Sequence, residues 1–387
     1  MPHPCVKHNC TNDSFSYNTC CGSCGYIFST YDELKVAVTI FKGGDTKAVT
    51  QYGAMNCWNV ENVTDMSELF LSESRSSDNF NEPINCWNVS RVTKMNKMFQ
   101  DASDFNQPLN SWDVSGVTDM GFMFKSAESF NRPLDFWDTS SLKTTQNMFQ
   151  FASSFNQNVN TWRVNGVTDL SFMFNGASSF NQPLDKWKTS KVTSTRSMFQ
   201  YAQNFNQPLN DWDVSNIQNM DGMFSGAKVF NQPLDKWDTT KVKSMHSFFH
   251  KAISFDQSLD SWDVSSVGDM HLMFYRAKEF NQPLDSWDVS HVSNMAEMFS
   301  YTERYNQPMK SWDVSNVINM TKMFYRADSY QEDLCSWYNL QFQEIPVAVD
   351  MFYGSSCGNK LDPNFSSKVS FCGTSQNPNC QVSDIKK

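Results

Sequence analysis

Tryptophan sets a fixed interval in this chain. The residues stand at Trp58, Trp87, Trp112, Trp137, Trp162, Trp187, Trp212, Trp237, Trp262, Trp287, Trp312 and Trp337, and from Trp87 onward every step is 25 residues. The first step is 29, with the extra residues in the polar stretch 72–78. No tryptophan lies outside this register. Such a period constrains the fold more than any local propensity does. A unit this short cannot bury its own apolar face, so successive units must stack and share one core.

Other residues keep the same register. Three before each Trp is an aliphatic residue or Met, as in Leu109, Leu134, Val159 and Leu184. Two after it, Val and Thr alternate: Val114, Thr139, Val164, Thr189, Val214, Thr239. Further on come Met-Phe (Met98-Phe99, Met123-Phe124, Met273-Phe274), then Ala, then Phe-Asn or Tyr-Asn. Stacking turns each position into a column. The Trp, Phe and Met columns read as core, and the recurring Asn81, Asn106, Asn131, Asn156, Asn181, Asn206 and Asn231 read as an amide ladder that satisfies turn backbone groups.

Spacing within a unit changes character along its length. Leu-x-x-Trp-x-Val alternates and suits a brief parallel strand. An Asp, Asn, Ser or Thr then precedes Met-x-x-Met-Phe-x-x-Ala, which has the form of an N-cap followed by apolar residues at helical spacing. The Phe-Asn-Gln-Pro stretch ends the helix and turns the chain. The expected fold is therefore an α/β repeat solenoid with one short strand and one short helix per 25-residue unit. Its expected divisions are a Cys-rich N-terminal segment 1–25, a capping helix within 26–50, a solenoid of about twelve repeats over 51–352 and a Cys-rich cap over 353–387.

Composition narrows the function classes. With 41 Asp+Glu against 31 Lys+Arg, the net charge is −10, which lacks the basic footprint a general nucleic-acid binder needs. The longest apolar stretch, Val36–Phe41, is far shorter than a bilayer span.

The unit FNQPLDSWDVSHVSNMAEMF resembles the repeat of BspA-like bacterial surface proteins, which recurs in mycoplasma lipoproteins, algae, protists and giant viruses and is classed with the leucine-rich repeats. The resemblance covers about 51–352. It implies a right-handed leucine-rich-repeat-like coil, secreted or displayed on a cell surface, acting in adhesion or protein binding. It implies no catalytic residue and no cofactor.

The ends depart from the array. Asp32 to Lys42 reads as a helix with Ser29 or Thr30 as N-cap, ended by Gly43-Gly44, with Leu34, Val38 and Phe41 on one face. The last unit has Tyr338 and Leu340 in place of Asp and Ser, and its Met351-Phe352 comes three residues late. Eleven cysteines crowd at the two ends, with none between Cys86 and Cys335. That distribution resembles the disulfide caps of extracellular leucine-rich-repeat proteins. Cys57 and Cys86 hold the same position in consecutive units, and stacking would bring their Cα atoms to about 5 Å, within disulfide range. The competing reading for His3, Cys5, His8, Cys10, Cys20, Cys21 and Cys24 is zinc, which the oxidising-compartment argument disfavours. No signal peptide is legible after Met1.

Catalytic motifs are not apparent: no phosphate loop, nucleophile elbow or H-E-x-x-H occurs. His246 and His250 are four apart without the glutamate and read as surface residues. Asp213, Asp238, Asp263, Asp288 and Asp313 form an acidic ladder, read either as a calcium or basic-partner site or as side chains bonding their own turns, with the second reading favoured. Recognition is expected where repeats vary: Tyr275, Arg276, Tyr301, Arg304, Tyr325 and Arg326 are contact-prone residue types at variable positions. The chain is thus expected to be a non-enzymatic extracellular or cell-surface scaffold that binds a protein or glycan. The alternatives are a structural surface-layer or virion component, or a carbohydrate-active enzyme on a solenoid.

Overall fold

Each repeat closes one coil, and backbone hydrogen bonds join a coil to its neighbour. The computed structural model describes residues 25–72, 80–334, 336–337, 340–358, 360, 362–363, 365 and 372. The chain divides into two compact units, Met1–Val167 and Thr168–Lys387, with the boundary inside the repeat array. In the first unit, parallel bridges link Asp65 to Lys94, Lys94 to Asp119 and Asp119 to Thr144. In the second they run from Asp169 through Ser194, Asn219, Ser244, Asp269, Asn294 and Asn319 to Val347. Each unit is therefore a tandem-repeat solenoid.

Two details differ from the sequence expectation. The parallel pairing is a single bridge per coil, placed at the polar residue before the first Met rather than at Trp-x-Val. The expected short helix is replaced by a chain of turns. The polar residue does act as a helix cap would: Asp119 Oδ1 accepts the Gly121 N–H at 2.9 Å, and Asn294 Oδ1 accepts the Ala296 N–H at 3.1 Å. The backbone beyond this cap cannot be helical, because two residues per coil have positive φ. Lys97 and Asp101 sit at 57° and 60°, and Phe122 and Ser126 at 59° and 57°, where an α-helix needs about −63°.

These turns sort the amides into two alternating sets. Met95, Lys97, Phe99 and Asp101 donate to the carbonyls of Asp119, Gly121, Met123 and Lys125 in the next coil, at 2.7–2.9 Å. Met98, Gln100 and Ala102 donate back three residues to Met95, Lys97 and Phe99, at 3.1–3.2 Å. In the second unit, Met270, Leu272, Phe274 and Arg276 repeat the cross-coil pattern onto Asn294, Ala296, Met298 and Ser300. Every other N–H thus holds the neighbouring coil, at the expense of helix.

The buried columns follow the sequence reading. Trp, Met, Phe and Ala of the repeat are almost wholly buried. In the first unit Phe99, Phe124 and Phe149 stack at 5.4–5.5 Å. In the second, Phe274, Phe299 and Phe324 stack at 5.5 Å. Beyond the first coil the indole N–H donates to a carbonyl of the preceding coil, as Trp112 to Ile84 at 3.1 Å and Trp212 to Leu184 at 3.0 Å, whereas Trp58 donates to Gly53 O at 3.1 Å. That bond explains why the position is Trp rather than Phe. The Asn ladder is also present: Asn106 Oδ1 accepts the Asn131 N–H at 3.0 Å, and Asn206 Oδ1 the Asn231 N–H at 2.9 Å.

The direction of the bonding dictates the cap. Along this run of turns the coils donate forward, so the first coil presents carbonyls there with no coil before it to fill them. Helix α1, Tyr31–Lys42, supplies the donors. The Tyr31 hydroxyl donates to Ser67 O at 2.7 Å, and Lys35 Nζ donates to Leu69 O at 3.2 Å and also to Glu68 O. Ser67 and Leu69 occupy the register of Asn96 and Met98, which accept from Glu68 and Phe70 in the coil before them. Thr30 caps α1 by accepting from Glu33 N, and Gly43 ends it. Leu34, Ala37 and Val38 are its buried face, and Phe41 meets Trp58 edge-on at 6.1 Å. A second helix, α2 (Thr46–Tyr52), comes next and has no counterpart in the sequence expectation. Gly25 lets the chain pass against the first coil, since a Cβ there would lie 1.5 Å from Cys57 O.

Candidate binding surface

The second left-handed position of each coil forms a column on the turn face. In the unit Thr168–Lys387 it carries Gly176, Tyr201, Gly226, Lys251, Arg276, Tyr301, Arg326 and Gly354, with φ between 52° and 75°. Glycine suits this backbone without strain, whereas an L side chain there costs about 1–2 kcal/mol. Arg276, Tyr301 and Arg326 nevertheless occupy three successive coils.

They pack on one another. The Arg276 guanidinium lies 4.7 Å from the Tyr301 ring centre and 5.3 Å from that of Tyr275. Arg326 lies 5.8 Å from Tyr301 and 6.0 Å from Tyr325. Tyr275 and Tyr301 meet at 5.7 Å, Tyr301 and Tyr325 at 5.4 Å, and Tyr325 stacks on Tyr353 at 5.4 Å and 16°. Five of the six residues singled out from sequence therefore converge. Arg304 does not join the stack: its guanidinium pairs with Glu279 at 2.7 Å.

Two clefts open beside this stack. One of about 210 Å³ is lined by Arg276, Lys278, Tyr301, Glu303, Arg326 and Asp328. The other, of about 540 Å³, is lined by Arg326, Asp328, Tyr353, Gly354 and Lys360. Lys278 is held by Glu303 at 2.6 Å. Sequence reasoning missed Tyr353, Lys278 and Lys360. Tyr353 stands directly after Met351-Phe352, as Tyr275 and Tyr325 stand after their own Met-Phe pairs, so the register did mark it, displaced by three residues in the last unit.

The acidic ladder is engaged in its own turns. Asp213 Oδ1 accepts from Ser215 N and Oγ at 3.1 and 2.6 Å, and Asp238 Oδ1 from Thr240 N and Oγ1 at 3.1 and 2.7 Å. Asp263, Asp288 and Asp313 accept from the N–H of Ser265, Ser290 and Ser315 at 2.9–3.0 Å. The hydroxyl bonds from Thr240 and Ser290 hold the Asp238 and Asp288 carboxyls below the usual range.

His250 is not the exposed residue expected. It is half-buried, bonds Ser225 Oγ at 3.1 Å and stacks on Tyr275 at 5.0 Å. Burial first, then the Lys251, His246, Arg276 and His271 charges, push its pKa down to about 4. His246 stacks on His271 at 5.2 Å.

Cys57 and Cys86 are both disulfide-bonded. The Asn56 side chain spans their coils, accepting from Cys86 N at 3.0 Å and donating to Cys86 Sγ at 3.3 Å. Cys357 and Cys372 form a disulfide with Cα atoms 5.3 Å apart. The zinc candidates His3, Cys5, His8, Cys10, Cys20, Cys21 and Cys24 lie outside the described residues. Among the described residues no helix is long and apolar enough to cross a membrane.

Fold and surface together define a tandem-repeat solenoid protein with its variable chemistry on one column of turns. The chain belongs to the family described as Mycoplasma protein of unknown function, DUF285, whose model matches residues 39–162, 146–262 and 249–362. A crystal structure of a TLR13–ssRNA13 complex is 10% identical over 76% of this chain, with a TM-score of 0.22, and this chain spans about half (52%) of its length. A comparison with curated proteins found no match.

Proposed function

We propose that the protein is a non-enzymatic extracellular or cell-surface scaffold that binds a protein or glycan through the Tyr–Arg column of Thr168–Lys387. One observation carries this reading. Arg276, Tyr301 and Arg326 occupy left-handed positions that glycine fills at Gly176, Gly226 and Gly354, so the backbone gives no reason for them. Non-glycine residues hold such positions in most coils, and these three differ in packing on one another and on Tyr275 and Tyr325 as one Arg–Tyr stack, the residue types favoured at binding surfaces. The oxidised Cys57, Cys86, Cys357 and Cys372 support an oxidising compartment, and the likeness to BspA-like repeats supports surface display.

The test is an array of glycans and cell-surface proteins probed with the intact oxidised protein and with the triple variant Arg276→Gly, Tyr301→Gly, Arg326→Gly. The variant relieves strain, so its coils should persist by circular dichroism while binding is lost. Equal binding by both proteins rejects the surface.

A further inference from the structure

We propose that the cleft between Arg326, Tyr353 and Lys360 takes a sugar residue bearing an anionic group, presented by a linear acidic polysaccharide. The inference rests on the binding reading above and names its ligand class.

The lining offers three different chemistries within one cleft of about 540 Å³, a volume within the usual range for small-ligand sites. The first is positive charge. Two of the neighbouring cations are already committed, Lys278 to Glu303 at 2.6 Å and Arg304 to Glu279 at 2.7 Å. Among the described residues Arg326 and Lys360 enter no such pair, so their donors remain available to an anion. The second is an aromatic face. Tyr353 is 54% exposed, with its inner side stacked on Tyr325. The third is an acceptor, the Asp328 carboxylate on the wall shared with the smaller cleft. Gly354 makes the arrangement possible, because a Cβ there would come within 2.9 Å of Arg326 Cγ.

Asp328 decides between ligand classes. An acidic peptide would satisfy Arg326 and Lys360, but a carboxylate side chain brings no hydroxyl donor for Asp328 and no C–H face for Tyr353. A sugar ring uses all three groups at once. Its carboxylate or sulfate meets the guanidinium and ammonium, its C–H face lies on Tyr353, and its hydroxyls donate to Asp328. The net charge of −10 keeps a polyanion off the rest of the surface, which sets its register on this cleft.

Calorimetry at low salt would use polyuronate oligosaccharides, heparin-derived sulfated oligosaccharides, neutral cello-oligosaccharides and poly-glutamate. At least one acidic saccharide should bind, more weakly as salt rises, and whether the carboxylated or the sulfated one does so assigns the anion. Arg326→Gly and Tyr353→Ala should each weaken it about tenfold or more with the coil structure intact. Asp328→Asn should weaken the saccharide and strengthen poly-glutamate. Poly-glutamate or neutral sugar binding as tightly as the acidic saccharides overturns the inference, as does an Asp328→Asn variant that binds the saccharide more tightly. Should every probe fail while the triple glycine variant still abolishes binding on the array, the saccharide is excluded and the binding surface stands. An array indifferent to that variant removes both.

Discussion

The left-handed column carries different residues in the two units of the molecule. In Met1–Val167 it holds Asp101, Ser126 and Phe151, at φ of 60°, 57° and 59°. In Thr168–Lys387 its late coils hold Lys251, Arg276, Tyr301 and Arg326, at 59°, 57°, 58° and 52°. The backbone is the same to within a few degrees, while the chemistry changes from a mixed set to cations and an aromatic ring. The buried columns show the opposite behaviour: Trp and the Met-Phe pair recur in both units with little variation. Stability therefore resides in what repeats, and recognition has room only in what varies.

The sharpest way to break this comparison is to alter a repeated position. Trp212→Ala should cost about 3–5 kcal/mol in denaturant unfolding, because it opens a cavity and leaves the Leu184 carbonyl without its indole donor. Trp212→Phe should cost less, since it removes the donor but keeps most of the ring. A loss below about 1 kcal/mol for Trp212→Ala would mean that the indole column does not hold the coils.

His250 lies between the two classes, half-buried and stacked on the variable Tyr275. Its folded pKa of about 4 is below the unfolded value near 6.5. The unfolded chain therefore binds more protons in that window, and stability falls as pH drops from about 6.5 towards 4. The charges that face it, on Lys251, His246, Arg276 and His271, act in the same direction. Allowing for partial exposure, the loss should reach about 2 kcal/mol, and His250→Gln should flatten it in unfolding curves collected across this range. An unchanged slope in His250→Gln would place the acid sensitivity elsewhere.

The left-handed column itself can be tested from both sides. Gly176→Ala should cost about 1–2 kcal/mol, because it puts a Cβ at φ 71°. Arg326→Gly at φ 52° should leave stability within about 1 kcal/mol, since relief of strain offsets the greater freedom of the unfolded chain. Thermal melts that show Arg326→Gly as costly as Gly176→Ala would make Arg326 structural and remove the main support for the binding surface.

The buried columns are legible in sequence because burial forces the same side chain into the same place in every coil. Trp, Phe, Met and Asn each announce their register, and Thr30, Glu33 and Gly43 announce the ends of α1. The secondary structure of a coil is less legible, for a specific reason. Asp119 and Asn294 cap a backbone turn whether or not a helix continues from it. Met-x-x-Met-Phe has helical spacing, yet it is equally satisfied by consecutive turns whose spare amides bond the next coil. Glycine would have disclosed the positive φ, but Lys97, Phe122 and Leu272 stand where it was needed as a signal. Of the surface, Tyr275, Arg276, Tyr301, Tyr325 and Arg326 are marked by their variability. Tyr353 is hidden by the three-residue shift of the last unit, and Arg304 misleads because an ion pair with Glu279 leaves no trace in a single sequence.

The smallest effect concerns the one repeated position that alternates, Val and Thr two residues after Trp. The Thr hydroxyls are buried and reach the next coil: Thr139 Oγ1 donates to Arg163 O at 3.2 Å, Thr189 to Asp213 O at 2.9 Å and Thr239 to Asp263 O at 2.8 Å. The same three steps bring indoles into stacking distance, Trp137 with Trp162 at 6.0 Å, Trp187 with Trp212 at 6.1 Å and Trp237 with Trp262 at 6.1 Å. Indoles also stack where the residue is Val, Trp58 on Trp87 at 6.2 Å and Trp312 on Trp337 at 6.4 Å, so what Thr adds at its own steps is the hydroxyl bond to the next coil. Thr189→Val keeps the shape and loses the bond, so it should cost about 0.5–1.5 kcal/mol. Amide exchange should rise at Thr193 and Gln218, which bond Thr168 and Thr193 across these coils, and remain unchanged further along at Ser293. Uniform exchange across the unit would show that the hydroxyl bond has no energetic content and that the alternation is only a trace of how the repeats were copied.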